Sequence, residues 1–401
     1  MVTFLRSVED LQKSLFEYPQ TEGNRAMSSD GRTALVLFLL SGIALLPGIG
    51  SAVEPAVSPA EVSEVSQLSP ANDVFDLNQE GLRLLWRAEL GDITETRIKA
   101  LYTTSSLVVV ETPSGEVHVL DAATGKWKTM VSLSHGLECA PVQDAQKLYM
   151  ISHNHLYALD IDENKLEQLY HVLFSVSAPP VIRGEHVALA GNNGHVASVD
   201  TSTWRQNWLA TMTGSIWEQP LLSDHKLLAA GGEVLCVQWD GGDEEWRWAP
   251  PKPAKLSSSI ELYDGEVYVG DNYGVLYALE ADSGEVDWNT NLKAPIVGKP
   301  RVVQDTLLVR TNAPSLLCVQ IKGERKVLWE QEEVTRILAS SENIAYVMKG
   351  ARDVSAILLK TGEELWRDRL PPDCITAGDP EGPTFYVGDA TGALVAFQEV
   401  D

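Results

Sequence analysis

The chain has 401 residues, 44% of them hydrophobic, and a formal net charge of −25. This acidic balance argues against nucleic-acid binding, because phosphate contacts need clustered Lys and Arg, and it disfavours peripheral binding to anionic lipid. The length suits two or three ordinary domains, or a single fold built from repeats.

The N-terminal region contains the one long apolar segment, residues 34–50, with the sequence ALVLFLLSGIALLPGIG. Small residues ending at Ala52 resemble a signal-peptidase site, so residues 27–52 are interpreted as a cleaved signal peptide or a retained membrane anchor. Residues 1–26 form an extension that is unusual for a signal: either Met27 is the true start, or the extension is a cytoplasmic tail. No Cys follows the apolar segment, so lipid attachment at a lipobox is not expected.

Residues 53–80 are predicted to form an extended linker. They are rich in Pro, Ser, Ala and acidic residues and contain no aromatic side chain until Phe75. Such a composition buries too little apolar surface to fold alone.

From residue 81 onward the chain repeats with a mean spacing of 40 residues. Each copy ends an alternating strand such as LYAL immediately before an anchor position. With a degenerate first copy included, the anchors are Asn78, Asp121, Asp160, Asp200, Gln238, Glu280, Gln320, Leu358 and Gln398. The acidic anchors are expected to bind the amides of their own turns.

A Trp usually follows the anchor by eight residues, with a Gly between them. The tryptophans at this position are Trp86, Trp208, Trp246, Trp288 and Trp366, with Trp329 one residue later. The pattern predicts a tight hairpin turn with positive φ at Gly, then a strand whose Trp packs flat against the neighbouring unit.

Four short strands per repeat of about 40 residues indicate an all-β fold, an eight-bladed β-propeller of four-stranded antiparallel blades over residues 81–401. The strand at 83–89 has no inner strands before it, whereas residues 374–398 supply only three strands. The N-terminal strand is therefore predicted to complete the last blade and close the ring.

The strand, Asp, Thr-Gly turn and Trp pattern resembles the PQQ-like (quinoprotein-type) β-propeller repeat, as in YVGDNYGVLYALEADSGEVDW at 268–288. One branch of that superfamily, the quinoprotein dehydrogenases, implies pyrroloquinoline quinone (PQQ), calcium, a catalytic Asp and often adjacent cysteines. The other branch is non-enzymatic and resembles BamB of the outer-membrane β-barrel assembly machinery. The chain has no adjacent cysteines and no long insertions between repeats, and so resembles the BamB-like branch, although that branch's lipobox Cys is missing.

Residue types that carry chemistry are few. Cys139, Cys236, Cys318 and Cys374 are expected to be free and mostly buried, since equivalent slots in non-adjacent blades lie too far apart to bridge. His153 and His155 could share a metal, but a polar hairpin turn is the simpler interpretation. The acidic stretches at 240–245 and 270–274 are interpreted as solvated turns, because they lack the spacing of a calcium loop. No catalytic, cofactor-binding or metal-binding residues are predicted.

The tryptophans outside the repeat pattern are the candidate interaction residues. Trp204 takes the position of the turn Gly, and Trp239 follows the next anchor, so both are expected on one face of adjacent blades beside Arg205 and Asp240. Exposed Trp beside Arg is a common hot-spot composition, although both rings could instead pack onto the rim. Trp217 precedes an inner strand and could line the channel mouth.

These features predict an exported, non-catalytic, monomeric propeller that binds protein partners in the cell envelope, periplasmic or extracytoplasmic. It would touch the membrane only through residues 33–50, if these are uncleaved. No nucleic acid and no cofactor are expected. Two alternatives stay open: a PQQ-dependent dehydrogenase with PQQ and calcium, and a propeller that binds a glycan or a small molecule.

Overall fold

The computed structural model describes residues 77, 79, 81–90, 98–378 and 382–400. The predicted extension, the signal or anchor segment and most of the predicted linker lie outside these residues. The described residues contain strands and turns but no helix, and hence no helix that is long and apolar enough to cross a membrane.

In the part of the chain that the structure describes, thirty-two strands alternate with tight turns. The first sixteen are β1 (Leu82–Glu89), β2 (Ala100–Thr103), β3 (Leu107–Glu111), β4 (Glu116–Asp121), β5 (Trp127–Ser132), β6 (Val142–Asp144), β7 (Lys147–Ser152), β8 (His155–Asp160), β9 (Lys165–His171), β10 (Val176–Arg183), β11 (His186–Gly191), β12 (His195–Asp200), β13 (Arg205–Thr211), β14 (Leu221–Ser223), β15 (Lys226–Ala230) and β16 (Val234–Gln238). The others are β17 (Glu244–Trp248), β18 (Leu256–Tyr263), β19 (Glu266–Asp271), β20 (Val275–Glu280), β21 (Val286–Asn291), β22 (Ile296–Val303), β23 (Thr306–Thr311), β24 (Ser315–Gln320), β25 (Val327–Glu332), β26 (Val334–Ser340), β27 (Ile344–Lys349), β28 (Asp353–Leu358), β29 (Glu364–Arg369), β30 (Ile375–Gly378), β31 (Thr384–Gly388) and β32 (Ala393–Glu399).

The strands pair as antiparallel meanders of four, which confirms the prediction of an all-β propeller. Pairing gives six four-stranded sheets and one eight-stranded sheet, in which a single parallel bridge between Ser258 and Gly298 joins two meanders. Because of that bridge the pairing alone yields seven sheets, and the number of eight blades stays a prediction.

The N-terminal strand closes the ring, as predicted. β1 pairs antiparallel with β32, with Leu82 opposite Glu399 and Glu89 opposite Ala393, and the sheet runs β1-β32-β31-β30. The first and last parts of the repeat region are therefore held together by backbone hydrogen bonds.

The core lies between the meanders. Every hydrophobic cluster of the described residues is shared by two meanders that are neighbours around the ring, including the pair on either side of the closure. The innermost and outermost strands carry more polar residues than the two middle strands, which are almost wholly buried. This pattern is expected when both faces of each sheet pack against a neighbour.

The four strands of each meander, from the innermost outward, are named a, b, c and d. Because they alternate in direction, the a–b and c–d turns lie on one end of the ring, called the c–d face. The b–c turns and the d–a connections between meanders lie on the other end, called the b–c face. Backbone hydrogen bonds tie each group together, as from Thr201 N to Glu185 O at 2.7 Å on the c–d face and from Met212 N to Gly194 O at 2.9 Å on the b–c face.

Candidate functional site

The repeat tryptophans join neighbouring meanders, as the sequence predicted. The indole Nε1 of Trp86 donates to the carbonyl oxygen of Ala122 at 2.8 Å, and Trp246 donates in the same way to Ala281 at 3.0 Å. Each acceptor lies one residue after the next anchor, and the Gly three residues further on, Gly125 or Gly284, has positive φ and lies against the indole. These residues hold the ring together and are not available to a ligand.

Not every interface has the Trp and Gly pair: one replaces both residues, and another keeps the Trp and replaces only the Gly. Thr129 is fully buried and its hydroxyl donates to the side-chain oxygen of Asn164, which has a φ of 50° in the Gly position. At the second interface Arg325 has a φ of 52°, and its guanidinium lies 5.3 Å from the Trp288 ring centroid. A hydrogen bond or a cation–π contact can thus replace the contact between Trp and Gly where the repeat pattern changes.

Trp204 and Arg205 lie at a c–d turn. Trp204 has a φ of 53° and is half-buried against the cluster between β6–β9 and β10–β13. Position eight after the preceding anchor is Gln168 and not Trp, so no repeat indole fills this interface and Trp204 packs there instead. Arg205 is exposed at the start of β13.

Trp239 lies at the next c–d turn and is only 3% exposed, so of the two alternatives given by the sequence this residue follows the packed one and not the exposed one. Its amide donates to the His225 carbonyl at 2.7 Å, and its own carbonyl accepts from the Trp208 indole at 2.8 Å. These two bonds turn the ring into the interface between β10–β13 and β14–β17, where it belongs to the core. Asp240, the next residue, is exposed.

Trp217 lies on the b–c face, in the connection between β13 and β14, and is 64% exposed. The structure therefore does not bring it together with Trp204, Arg205, Trp239 and Asp240, which lie on the opposite face. The neighbouring residue, Glu218, lines the central cavity, whereas Trp217 itself does not. Trp217 is thus near the channel mouth without forming its wall.

Two further apolar side chains accompany Trp217 on the b–c face. Leu173, in the connection between β9 and β10, is 81% exposed, and Tyr273, in the b–c turn between β19 and β20, is 55% exposed. Neither residue was predicted from the sequence, because neither departs from the repeat in a way that marks exposure. Only the assignment of turns to faces places them on the same face as Trp217.

A cavity of about 910 Å³ occupies the central channel. Its charged lining comes from the connection before β14, from strands β18, β22, β23 and β26, and from the turn after β26, and consists of Glu218, Glu261, Lys299, Arg301, Arg310, Arg336 and Glu342. No sequence motif predicted this group, because its members come from separate repeats and converge only when the ring closes.

Four histidines form a row on the b–c face, two more than the sequence analysis considered. The rings of His135 and His153 stack at 4.1 Å between centroids, and His155 lies 6.4 Å from His153 and 4.6 Å from His171. His153 and Asn154 have positive φ, which confirms the predicted hairpin turn. Within the described ranges, no three His, Cys, Asp or Glu residues are placed to hold a metal ion.

The acidic turns are structural. Asp200 accepts hydrogen bonds from Ser202 and Thr203, which lower its pKa to about 2 and show an anchor binding its own turn. The prediction of a solvated turn is wrong for Asp271, which is only 1% exposed. Its carboxylate accepts hydrogen bonds from two backbone amides and from the Tyr277 hydroxyl. Asp243 in the other acidic turn is exposed, as predicted.

All four cysteines are free, as predicted, and three of them are buried. Cys236 and Cys318 occupy equivalent c-strand positions, opposite Leu228 and Leu308. Cys139 and Cys374 lie in the connections that precede β6 and β30. Burial raises the pKa of Cys139 and Cys236 to about 12 and about 11, which suppresses their nucleophilicity.

The family model described as "Outer membrane protein assembly factor BamB" matches residues 71–246 and 230–395. The chain is similar to the protein of that name from Burkholderia pseudomallei, with 24% identity over 295 residues that cover 56% of this chain and 77% of the relative. The Escherichia coli protein of the same name is 26% identical over 168 residues, which cover 38% of this chain and 43% of the relative.

Among solved structures, BamB from Moraxella catarrhalis is similar in fold, with a TM-score of 0.64 and 15% identity. The match covers 79% of this chain and 97% of the Moraxella chain. At this identity the likeness concerns the propeller fold alone.

Proposed function

Because the chain belongs to the BamB family of outer membrane protein assembly factors, we propose that it is a non-catalytic scaffold of the cell envelope. Its rigid propeller presents a surface on which a protein partner docks during outer membrane assembly. An envelope location agrees with the apolar residues 34–50, which would direct export of the propeller.

The observation that carries this proposal is the exposure of large apolar side chains on the b–c face. Leu173, Trp217 and Tyr273 leave 81%, 64% and 55% of their surface in water. Aromatic anchors surrounded by polar turns are the usual composition of an interaction hot spot.

The connections that carry these residues are held rigidly, which lowers the entropy cost of binding. The amide of Val172, directly before Leu173, donates to Asn154 O at 2.7 Å, and the amide of Ile216, directly before Trp217, donates to Gly191 O at 3.2 Å. The partner would therefore meet a preformed surface.

The c–d face offers a weaker alternative. Trp239 is buried there and Trp204 is half-buried, so Arg205 and Asp240 remain as the exposed candidates from the sequence. We keep Trp204, Arg205 and Asp240 as candidate contacts of lower rank than Trp217.

The test is capture of partners from solubilised envelope fractions by the tagged full chain. We expect Leu173→Ala combined with Trp217→Ala to reduce capture at least about tenfold, since truncating a central hot spot costs about 2 kcal/mol or more. The matched control is Leu365→Ala, because Leu365 is 46% exposed but lies on the outermost strand β29, away from both faces.

Equal capture by the double variant and the wild type would refute docking on the b–c face. Loss of capture in Trp204→Ala or Arg205→Ala, with the b–c variant unaffected, would transfer the docking surface to the c–d face. No specific partner captured by any form would contradict the scaffold function itself.

A further inference from the structure

The central cavity contains a positive site in a strongly acidic protein. Its four cations, Lys299, Arg301, Arg310 and Arg336, come from β22, β23 and β26 and face the same volume of about 910 Å³. The chain as a whole has a net charge of −25, so this clustering runs against the overall composition.

The Arg310 side chain passes over Gly298 to reach the channel. Its Nη2 atom lies so close to Gly298 that a Cβ atom built there would be only 2.3 Å away, and Gly298 has a φ of 70°. The other end of the guanidinium donates to the backbone carbonyl of Thr335 in the next meander. A side chain at position 298 would therefore displace this guanidinium from the cavity.

Arg336 lies directly after Thr335 and donates to the hydroxyl of Thr376 in the following meander. Each of the two guanidiniums is thus fixed by a neutral acceptor and not by a carboxylate. Among the residues that the structure describes, no carboxylate lies within ion-pair distance of Arg310 or Arg336.

The remaining charges do not neutralise this pair. Lys299 is bound to Glu261 at 2.9 Å, and Arg301 is itself engaged in an interaction, so both are left out of the site. Glu218 is close enough to influence Arg310, but burial raises the pKa of Glu218 even though Lys299 and Arg310 counteract the effect. Glu218 makes no ion pair with Arg310, so it offsets the Arg310 charge only in part.

The two guanidiniums also repel each other. Burial lowers the pKa of Arg310, and Glu218 offsets part of that change. The Arg336 side chain is accessible from the cavity, yet the channel walls displace much of its water, and this burial together with the Arg310 charge lowers its pKa. Both shifts would be relieved by a bound anion.

We propose that Arg310 and Arg336 form a binding site in the central channel for a small oxyanion with at least two negative charges, such as a dicarboxylate or a phosphate. Guanidinium groups bind both kinds of oxyanion through paired N–H donors, and the cavity volume is that of a small-molecule site. Both arginines lie near the b–c end of the channel, but Leu173, Trp217 and Tyr273 do not line the cavity, so anion binding can be tested independently of the proposed docking.

The test is isothermal titration calorimetry of the purified full chain with succinate and with inorganic phosphate, each against chloride at matched ionic strength. We expect saturable binding of at least one dianion and none of chloride. Preference for succinate or for phosphate then identifies the chemical source of the anion.

Three variants locate the site. Arg336→Gln is expected to weaken binding about tenfold or more, because a hydrogen bond to a charged group is lost. Gly298→Ala should weaken it as well without removing any charge, because it displaces the Arg310 guanidinium. Glu218→Gln should strengthen it, since it removes a competing carboxylate. The control is Arg205→Gln, an exposed Arg on the c–d face.

The unfolding midpoint of each variant without anion shows that it is folded. The proposal is overturned if neither dianion binds more tightly than chloride, or if Arg336→Gln and Arg205→Gln bind it equally. Binding of a hexaglutamate peptide with no binding of either small dianion would also overturn it, in favour of an acidic polypeptide.

Discussion

The indole of Trp246 lies flat on Gly284 of the next meander. A Cβ atom added to Gly284 would be 2.5 Å from Cε3 of the indole, and the indole Nε1 donates to the Ala281 carbonyl at 3.0 Å. The same arrangement joins Trp86 to Gly125, Trp208 to Gly242 and Trp329 to Gly362. The Gly therefore serves both the turn, through its positive φ, and the interface, through its lack of a side chain.

Separating these two roles gives the first prediction. Gly284→Ala should reduce the free energy of unfolding by about 2–4 kcal/mol, from left-handed backbone strain and from overpacking against the indole. Gly265→Ala is the matched control, because Gly265 has a φ of 80° but nothing within 4 Å of an added Cβ. It should cost about 1 kcal/mol. Urea unfolding followed by Trp fluorescence measures both, and equal costs would show that the contact with Trp246 is unimportant.

The indole hydrogen bond can be tested with two equally buried tryptophans. Trp246 and Trp288 are both 8% exposed, but the Nε1 of Trp288 is buried without a partner among the described residues. Trp246→Phe should therefore be more destabilising than Trp288→Phe by about 1 kcal/mol, the net value of a hydrogen bond. A larger loss at Trp288 would contradict this explanation.

Burial separates Trp239 from Trp217, two of the three tryptophans proposed from the sequence as interaction residues. Trp239→Ala should reduce the free energy of unfolding by about 3–5 kcal/mol, since it leaves a cavity in the core. Trp217→Ala should change it by about 0.5 kcal/mol or less, because the side chain is 64% exposed. Thermal or urea unfolding distinguishes the two variants. A Trp239→Ala variant as stable as the wild type would contradict the burial of Trp239 in the core.

Glu364 predicts a pH dependence of stability. Burial would raise its pKa, but hydrogen bonds from Arg367 and Lys349 outweigh this and lower it from 4.5 to about 2. Because the folded value is depressed, the stabilisation is complete above about pH 4.5 and is lost as the pH falls towards 2. Unfolding of the wild type and of Glu364→Gln should therefore converge between these values.

The control for that series is Glu363→Gln, whose side chain makes no ion pair with any described residue. It should follow the wild type throughout. A constant difference between the wild type and Glu364→Gln from pH 5 to pH 2 would show that the carboxylate charge at Glu364 contributes nothing.

The cysteines should behave as buried thiols. Burial raises the pKa of Cys236 and of Cys374 to about 11, so neither forms much thiolate at pH 8. We expect slow reaction of the native protein with a disulfide reagent, four thiols after denaturation, and no change of the unfolding midpoint on adding a reductant. A shift with reductant would reveal a disulfide.

The sequence by itself determined the four-stranded repeat and the Trp and Gly contacts that join one repeat to the next. The spacing of the anchors, the Gly of each c–d turn and the Trp that follows are local features, and they predicted meanders, ring closure by β1 and flat packing of the indoles. They could do so because a repeated supersecondary unit buries its faces only against its own copies. Family resemblance could be drawn from the same residues.

Only the tertiary structure decided which deviations from the repeat reach the surface. Trp204 and Trp239 both depart from the repeat pattern, but they are buried to different degrees. Trp204 is half-buried at an interface that lacks a repeat indole, whereas Trp239 is fully packed in the core and its carbonyl accepts a bond from the Trp208 indole. Leu173 and Trp217 lie on the same face because strand direction assigns both of their connections to the b–c face. Arg310 on strand b of one meander and Arg336 on strand a of the next are 26 positions apart in the sequence. They line one cavity because ring closure brings the inner parts of successive meanders to the same axis, where charged residues that share no local motif come together.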